Sequence, residues 1–213
     1  MKVCTCLNPL HTSLAVLGCM LGFTSISAEM RDEDLNRLVH RLAFEEAMPV
    51  VHDPGIMDPR AFAETVLEKR LPNPFMPDTP QRIATDTSQK LPIRFGETLK
   101  AYAASDTLDA RSLKLIPFVL AAWIRYLTGI GDDGMPFEKS SDPMEKVLAE
   151  RFGNVPFGKT YAENELDDFL CRADIFGVDL VAIHVAPAVT GYLNRMMRAP
   201  GAVRQLLGEI VRE

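Results

Sequence analysis

Apolar positions recur at helical spacing in segment after segment of this chain. Leu14, Leu17 and Leu21 share one face of a stretch that Asn8-Pro9 would open, with Asn8 as the cap and Pro9 in the first turn. Leu35, Leu38, Val39 and Leu42 follow at the same period, above a charged face carrying Arg31, Asp32, Glu33, Arg37 and Arg41. A capping residue followed by proline marks three more starts, Asp58-Pro59, Thr79-Pro80 and Asp142-Pro143, and the first of these turns Phe62, Val66 and Leu67 inward. From Ser112 to Leu127 the chain is apolar nearly all round, which predicts the enclosed central helix of a bundle, with Trp123 and Tyr126 as core. Two last helices are predicted from about Val178 and about Ala202. Between them, Asp53-Pro54-Gly55, Pro72-Asn73-Pro74 and Met76-Pro77-Asp78 predict ordered turns, placed to position the start of the helix bearing Arg82. Long alternation of apolar and polar residues, the mark of a strand, does not occur, and no repeat or low-complexity linker divides the chain. The pattern predicts one mostly α, multi-helix domain over residues 1–213.

Composition narrows the partners. A chain of 213 residues can bury a sizeable core. With a net charge of −6 and no dense Lys/Arg run, it lacks a nucleic-acid footprint. The apolar run Leu113–Leu127 is interrupted by Lys114, Pro117 and Arg125 and falls short of the ~20 residues that cross a bilayer, so no membrane partner is expected. Of the four cysteines, Cys4 and Cys6 are too closely spaced for an easy disulfide, and a zinc site from Cys4, Cys6 and His11 lacks the usual C-x-x-C pairs. No metal is expected, and the thiols read as ordinary residues of a reducing, cytoplasmic compartment. A competing reading makes residues 1–28 a secretory segment: Met1-Lys2, the apolar stretch from Leu14 to Phe23 and the small Ser25, Ser27 and Ala28 imitate one, and Leu17-Gly18-Cys19 imitates a lipoprotein cleavage site. Asn8, Pro9 and His11 interrupt that pattern.

Three groups of residues carry candidate chemistry. Gly129-Ile-Gly131-Asp-Asp-Gly134 matches G-x-G-x-x-G, but a predicted helix precedes it and Met135-Pro136 follows, so it reads as a turn and not as a phosphate cradle. Asn8 and His11, three apart on a helix, project to nearly the same side, where an amide and an imidazole can hydrogen-bond one oxygen. The alternative is that Asn8 caps the helix and His11 is a core histidine. Arg82 and Lys90 lie close to two helical turns apart with Asp86 between them, which is either an exposed charge ladder or a pair of cations facing a polar or anionic substrate. His40 and His52 read as surface or loop residues, and His184, in an apolar segment, as structural.

Taken together, Lys2, Asn8-x-x-His11, Pro72-Asn73-Pro74 and the block Arg82-Ile-Ala-x-Asp86-x-Ser88-Gln89-Lys90-Leu91-Pro92 resemble the mannitol dehydrogenase family of long-chain polyol dehydrogenases, which includes mannitol 2-dehydrogenase, fructuronate reductase and tagaturonate reductase. The likeness continues through Ala121-Ala122-Trp123-Ile124-Arg125-Tyr126 and the glycine-rich turn after it. The resemblance implies a helical C-terminal substrate domain, normally preceded by a Rossmann domain that binds NAD or NADP, and chemistry without zinc. By position it implies Lys2 as general acid/base, Asn8 and His11 as stabilisers of the oxyanion, and Arg82 and Lys90 as ligands of a polyol, ketose or uronate substrate. Two departures mark a divergent subgroup: Lys2 lies one residue further from Asn8 than the family's lysine, and Pro9-Leu10 stands where many members carry Gly-Ser. No dinucleotide-binding half is legible in the sequence, so Met1 is expected to be an internal start, a cloning boundary or one side of a split gene. The expected activity is reversible interconversion of a polyol or aldonate with its ketose or keto-uronate. The rival is a non-catalytic helical module, secreted or sugar-binding.

Overall fold

In the computed structural model, which describes residues 7–51, 55 and 58–213, helices wrap two apolar rods. The first is α1 (Asn8–Leu21), buried over Pro9–Met20 and ended by Gly22 in the left-handed conformation, whose N–H returns to the Gly18 carbonyl. Leu7 already has helical angles, so Asn8 lies inside the first turn and is not the cap. Its amide is thereby released from the capping role expected of it. Pro9 sits in the first turn, where its missing N–H costs nothing. The apolar stretch that imitates a secretory signal, Leu14 to Phe23, is the second half of this helix and the turn after it, with Leu14 and Leu17 fully buried.

The chain then turns through α2 (Ile26–Glu29) into α3 (Glu33–Arg41), which the Asp32 carboxylate caps, and which runs on as a π-helical segment, Leu42–Ala47. Leu35, Leu38, Val39 and Leu42 are buried as the periodicity requires. Glu29 is fully buried over Gly18, where a side chain would collide with its carboxyl, and neither carboxyl oxygen has a hydrogen-bond partner. Burial, with Asp32 nearby, raises its pKa well above the usual carboxylate range.

Next come α4 (Pro59–Thr65), capped by Asp58, with its π-helical extension Val66–Arg70, and α5 (Pro80–Ala84), capped by Thr79. The chain continues through α6 (Thr87–Leu91), its extension Pro92–Gly96, and α7 (Glu97–Ala103). The extension after α6 meets α11 (Ala173–Phe176) backbone to backbone. A Cβ on Gly96 would stand 2.7 Å from the Phe176 carbonyl oxygen and 2.8 Å from Gly177 Cα, so only glycine fits there.

The second rod is α8 (Leu115–Tyr126), buried at every position and packed along α12 (Ala186–Met196) and α1. Its N-terminus is capped from a distance: Glu46 Oε1 accepts from Lys114 N and Leu115 N at 2.7 Å, and Oε2 from Ile116 N at 2.8 Å. Trp123 joins Phe152, Phe169 and Phe176 in an aromatic cluster with ring centroids 4.9–6.3 Å apart.

Past α8, Arg125 is buried and donates to Thr128 Oγ1 and to the carbonyls of Ile130 and Gly131, holding the glycine-rich turn closed. Asp132 in that turn caps α13 (Ala202–Ile210) through Val203 N at 2.9 Å and Arg204 N at 3.0 Å. Among the described residues there is no strand, only the isolated bridge between Ile130 and Pro136. No described helix is long and apolar enough to cross a membrane.

Three expectations shift. α9 (Glu145–Phe152) starts after Asp142-Pro143 rather than on it, although Asp142 Oδ1 accepts from Met144 N at 2.9 Å while the same carboxylate also accepts from Ser88 N and Ser88 Oγ on α6. The helix expected from about Val178 starts only at Ala186, since Asp179 Oδ1 accepts from Val181 N and Ala182 N and holds this stretch in turns. His184, expected to be structural, is exposed and left-handed, at φ 59°.

Candidate functional site

Four of the five residues singled out by the sequence fall around the first turns of α1. Lys2 lies outside the described residues. Asn8 and His11 project from the same side of α1, one turn apart, and α5 packs directly against that helix. His11 is 8% exposed, and its Nε2 stands 3.4 Å from Asp78 Oδ2 without forming a hydrogen bond.

Asp78 is the hinge of the arrangement. Its carbonyl accepts from Ile26 N, which ties the loop to α2, and its Oδ1 accepts from Arg82. Thr79 caps α5 through Arg82 N at 3.2 Å, so cap and carboxylate together fix where Arg82 leaves the helix. The proline-rich loop does position the start of this helix, as the sequence suggested. Asp78 itself was overlooked, although its spacing four before Arg82 signals a helical ion pair.

The Arg82–Asp86–Lys90 ladder does not form. Thr85 is extended and Asp86 is left-handed (φ 53°, ψ 35°), so Arg82 and Lys90 lie on two separate helices. Asp86 N donates to the Ser141 carbonyl at 2.9 Å and Ser140 Oγ donates to the Gln81 carbonyl; with the Asp142–Ser88 contacts, the 140–142 loop latches both helices. Lys90 Nζ folds back on the end of α5, donating to the Ile83 carbonyl at 3.1 Å and to the Thr85 carbonyl. An ammonium has three donors, so one is left over from these two carbonyls.

A further cation, absent from the sequence-based set, completes the group. Arg94, four residues beyond Lys90, donates through Nη1 to Thr12 Oγ1 and, at 3.4 Å, to the Asn8 carbonyl. The i+4 spacing from Lys90 was its only local signal.

Electrostatics sets the protonation states. Burial lowers the His11 pKa to about 4, and the positive charges of Arg94, Arg70, Arg82 and Lys90 act in the same direction. Among the described residues, the carboxylate beside it, Asp78, is engaged with Arg82 and does not offset them. His11 is therefore neutral near pH 7, able to donate from one nitrogen and accept at the other. The Lys90 pKa is lowered by burial and by Arg94, against Asp86 and Asp142. Neutral imidazole, amide and cations together suit an oxygen that gains negative charge, with a polar or anionic tail held beside it.

Two cavities lined by described residues lie elsewhere. One of about 360 Å³ sits between the end of α1 and the Gly131–Phe137 turn, and one of about 550 Å³ between α7 and His184. Neither is lined by Asn8, His11, Arg82 or Lys90. No group of His, Cys, Asp and Glu among the described residues could hold a metal ion. Cys19 is buried, its thiol raised to about 12 by burial and Glu29, and Cys171 is exposed; neither is in a disulfide.

Comparison with known proteins follows the same lines. The family model for the mannitol dehydrogenase C-terminal domain matches residues 1–197. A D-mannonate oxidoreductase of Thermotoga maritima is 48% identical over 212 residues, which are 99% of this chain and 39% of that protein. An altronate oxidoreductase of Halalkalibacterium halodurans is 34% identical over 82% of this chain and 35% of its own length. In fold, the chain superposes over its whole length on 40% of a Pseudomonas fluorescens mannitol 2-dehydrogenase solved with NAD and D-mannitol, with a TM-score of 0.79 at 19% identity. The chain thus spans about two fifths or less of each of these relatives.

Proposed function

The chain belongs to the mannitol dehydrogenase family, and on that premise we propose that residues 1–213 are the helical substrate domain of an NAD- or NADP-dependent oxidoreductase. Its reaction is the interconversion of a polyol or aldonate with the corresponding ketose or keto-uronate. The observation that carries this reading is the buried, neutral His11 one turn after Asn8, ringed by Arg82, Lys90 and Arg94.

The described residues do not themselves fit a dinucleotide. The Gly129–Gly134 turn follows a helix, not a strand, and Asp132 within it is taken up by α13. The dinucleotide-binding Rossmann domain is therefore proposed to lie outside these residues, in keeping with relatives that are more than twice as long. When bound there, the nicotinamide supplies the hydride donor or acceptor.

What this chain does is hold and polarise the substrate. Asn8 and His11 donate to the reacting oxygen and stabilise it as charge develops. Lys2, placed by resemblance alone, takes or gives the proton on that oxygen. Arg82 and Lys90 bind the remainder of the substrate through its hydroxyls or carboxylate. We place this work in the cytoplasm, where two unpaired thiols, Cys19 and Cys171, would persist.

The test is the change in reduced-nicotinamide absorbance when the chain, together with its dinucleotide-binding partner domain, meets fructose, fructuronate or tagaturonate with NADH or NADPH. Turnover abolished by His11→Ala supports the reading. Turnover untouched by that substitution, or none with any of these substrates, overturns it.

A further inference from the structure

Glu29 stands where α1, α2 and α5 meet. A Cβ on Gly18 of α1 would lie 2.6 Å from the Glu29 carboxyl carbon and 3.0 Å from Pro80 Cγ, so the carboxyl and the first residue of α5 share the space above that glycine. The other end of α2 reaches the loop before α5: Ile26 N donates to the Asp78 carbonyl at 3.0 Å. Asp78 and Thr79 in turn fix where Arg82 leaves its helix. α2 is thus a bracket, with its first residue on Asp78 and its last against Pro80.

The groups facing Glu29 leave it unanswered. On α1 there is the Cys19 thiol, raised to about 12 by burial and by Glu29 itself, and beyond it Tyr126 of α8, which interacts with that thiol. After α2 there is Asp32, which repels a charge on Glu29 and is held by Arg204 of α13. Before α5 there is Asp78, held by Arg82. Neither carboxyl oxygen of Glu29 has a hydrogen-bond partner, and the residue is fully buried. A neutral acid can occupy this space, but a carboxylate cannot without opening it to water. Seated α2 therefore keeps a proton that the opened segment gives up at the ordinary value of 4.5, and the seated state loses ground as pH rises from there. Local rules are broken in this way at positions that serve function.

We propose that Glu29 is a positioning residue that makes substrate affinity depend on pH: as a neutral acid it seats α2 and so holds Asp78 and Arg82, and its ionisation lifts α2 and loosens the substrate-binding end of the site. The effect on substrate rests on the reading of Arg82 given above, whereas the movement of α2 stands apart from it. The proton passes to solvent, and no bond to the substrate forms or breaks.

The experiment compares wild type and Glu29→Gln, each as the full chain with its dinucleotide-binding partner domain, from about pH 5 to about pH 9. Hydrogen exchange at the Ile26 amide reads the seating of α2, and KM and kcat read the site. One proton leaves on lifting, so wild-type exchange, relative to Glu29→Gln at the same pH, should quicken by about tenfold per pH unit until the raised carboxyl value is reached. The wild-type KM should rise by a like factor per unit once the lifted state prevails, with kcat changed less than about 3-fold. Glu29→Gln should stay flat apart from the Lys90 titration that both share. Glu29→Met should behave as Glu29→Gln does, and takes its place if the amide variant does not fold. Parallel exchange in wild type and variant overturns the proposal, as does a change in exchange that leaves KM untouched. Should no substrate turn over, the hydride-transfer reading falls, and exchange at the Arg82 amide, which Thr79 caps, then decides for Glu29. Protection lost with pH at both Ile26 and Arg82 in wild type alone sustains the positioning role, and protection kept at either one ends it.

Discussion

His11 Nε2 lies 3.4 Å from Asp78 Oδ2, yet the two do not form an ion pair. The carboxylate is held by Arg82, and the imidazole is kept neutral by burial and by the cations that surround it. A histidine beside an aspartate is usually read as a charged, general-base pair. Here the same proximity leaves a neutral donor, suited to an oxygen and not to taking up a proton.

That state has a pH consequence. The folded protein binds the His11 proton only near pH 4, whereas the unfolded chain binds it near 6.5. The unfolded state therefore holds more protons between these values, and stability is lost as pH falls from about 6.5 towards 4, by a total of about 3 kcal/mol from this residue. Urea unfolding across this range should show the loss, and His11→Asn should flatten it. A His11 imidazole proton signal, assigned by its absence in His11→Asn, that titrates near 6.5 in the folded protein would show that the cations and burial do not act as described.

Asp78→Asn removes the anion that holds Arg82 but keeps the carbonyl that ties the loop to α2. The expected result is a folded protein whose KM rises about 10-fold, from loss of a hydrogen bond to a charged group, with a smaller change in kcat. Steady-state kinetics gives the split. A fall confined to kcat would instead assign Asp78 to the reacting end.

Glu29 is a carboxyl buried without a partner, so removing it should stabilise the fold. Its folded pKa is raised, so the folded state binds more protons than the unfolded above the ordinary value of 4.5, and stability falls as pH rises from there. Glu29→Met is expected to gain about 1–3 kcal/mol at neutral pH, with a smaller gain near pH 5. Thermal melts at several pH values check both the sign and the trend.

Glu46 makes the opposite case. Burial raises its pKa, while three backbone N–H groups at the start of α8 pull it back down. An amide there would turn a donor towards donors, so Glu46→Gln should cost about 1–3 kcal/mol, read as a lower urea midpoint with an unchanged m-value.

Helix identity was legible because it is local. The periods of Leu35–Leu42 and of α8, and the caps at Asp58 and Thr79, are written within a few residues of where they act. The site was half legible for the same reason. Asn8, His11, Arg82 and Lys90 do gather near the start of α1, and the family that their pattern resembled is the one to which the chain belongs. Asp142 illustrates what was not legible. Its local contact, to Met144 N, fits the turn its proline promised, but the same carboxylate also holds Ser88, 54 residues away, a partner that no local pattern contains. Asp132 is similar: within an apparent nucleotide motif, its real employment is capping α13. The helix break at Asp86 was hidden because a left-handed aspartate looks, in sequence, like any i+4 charge partner.

α8 has no solvent face: each of its twelve residues is buried, Arg125 included. A helix of this kind cannot drift by exchanging surface residues, since every substitution alters a packed volume or strands a polar group. Among related proteins its sequence should change slowly for reasons of space rather than chemistry. Constancy along Ala121–Tyr126 would then report on the wall of the molecule, whereas constancy at the half-buried Asn8 and Lys90 would have no such packing cause.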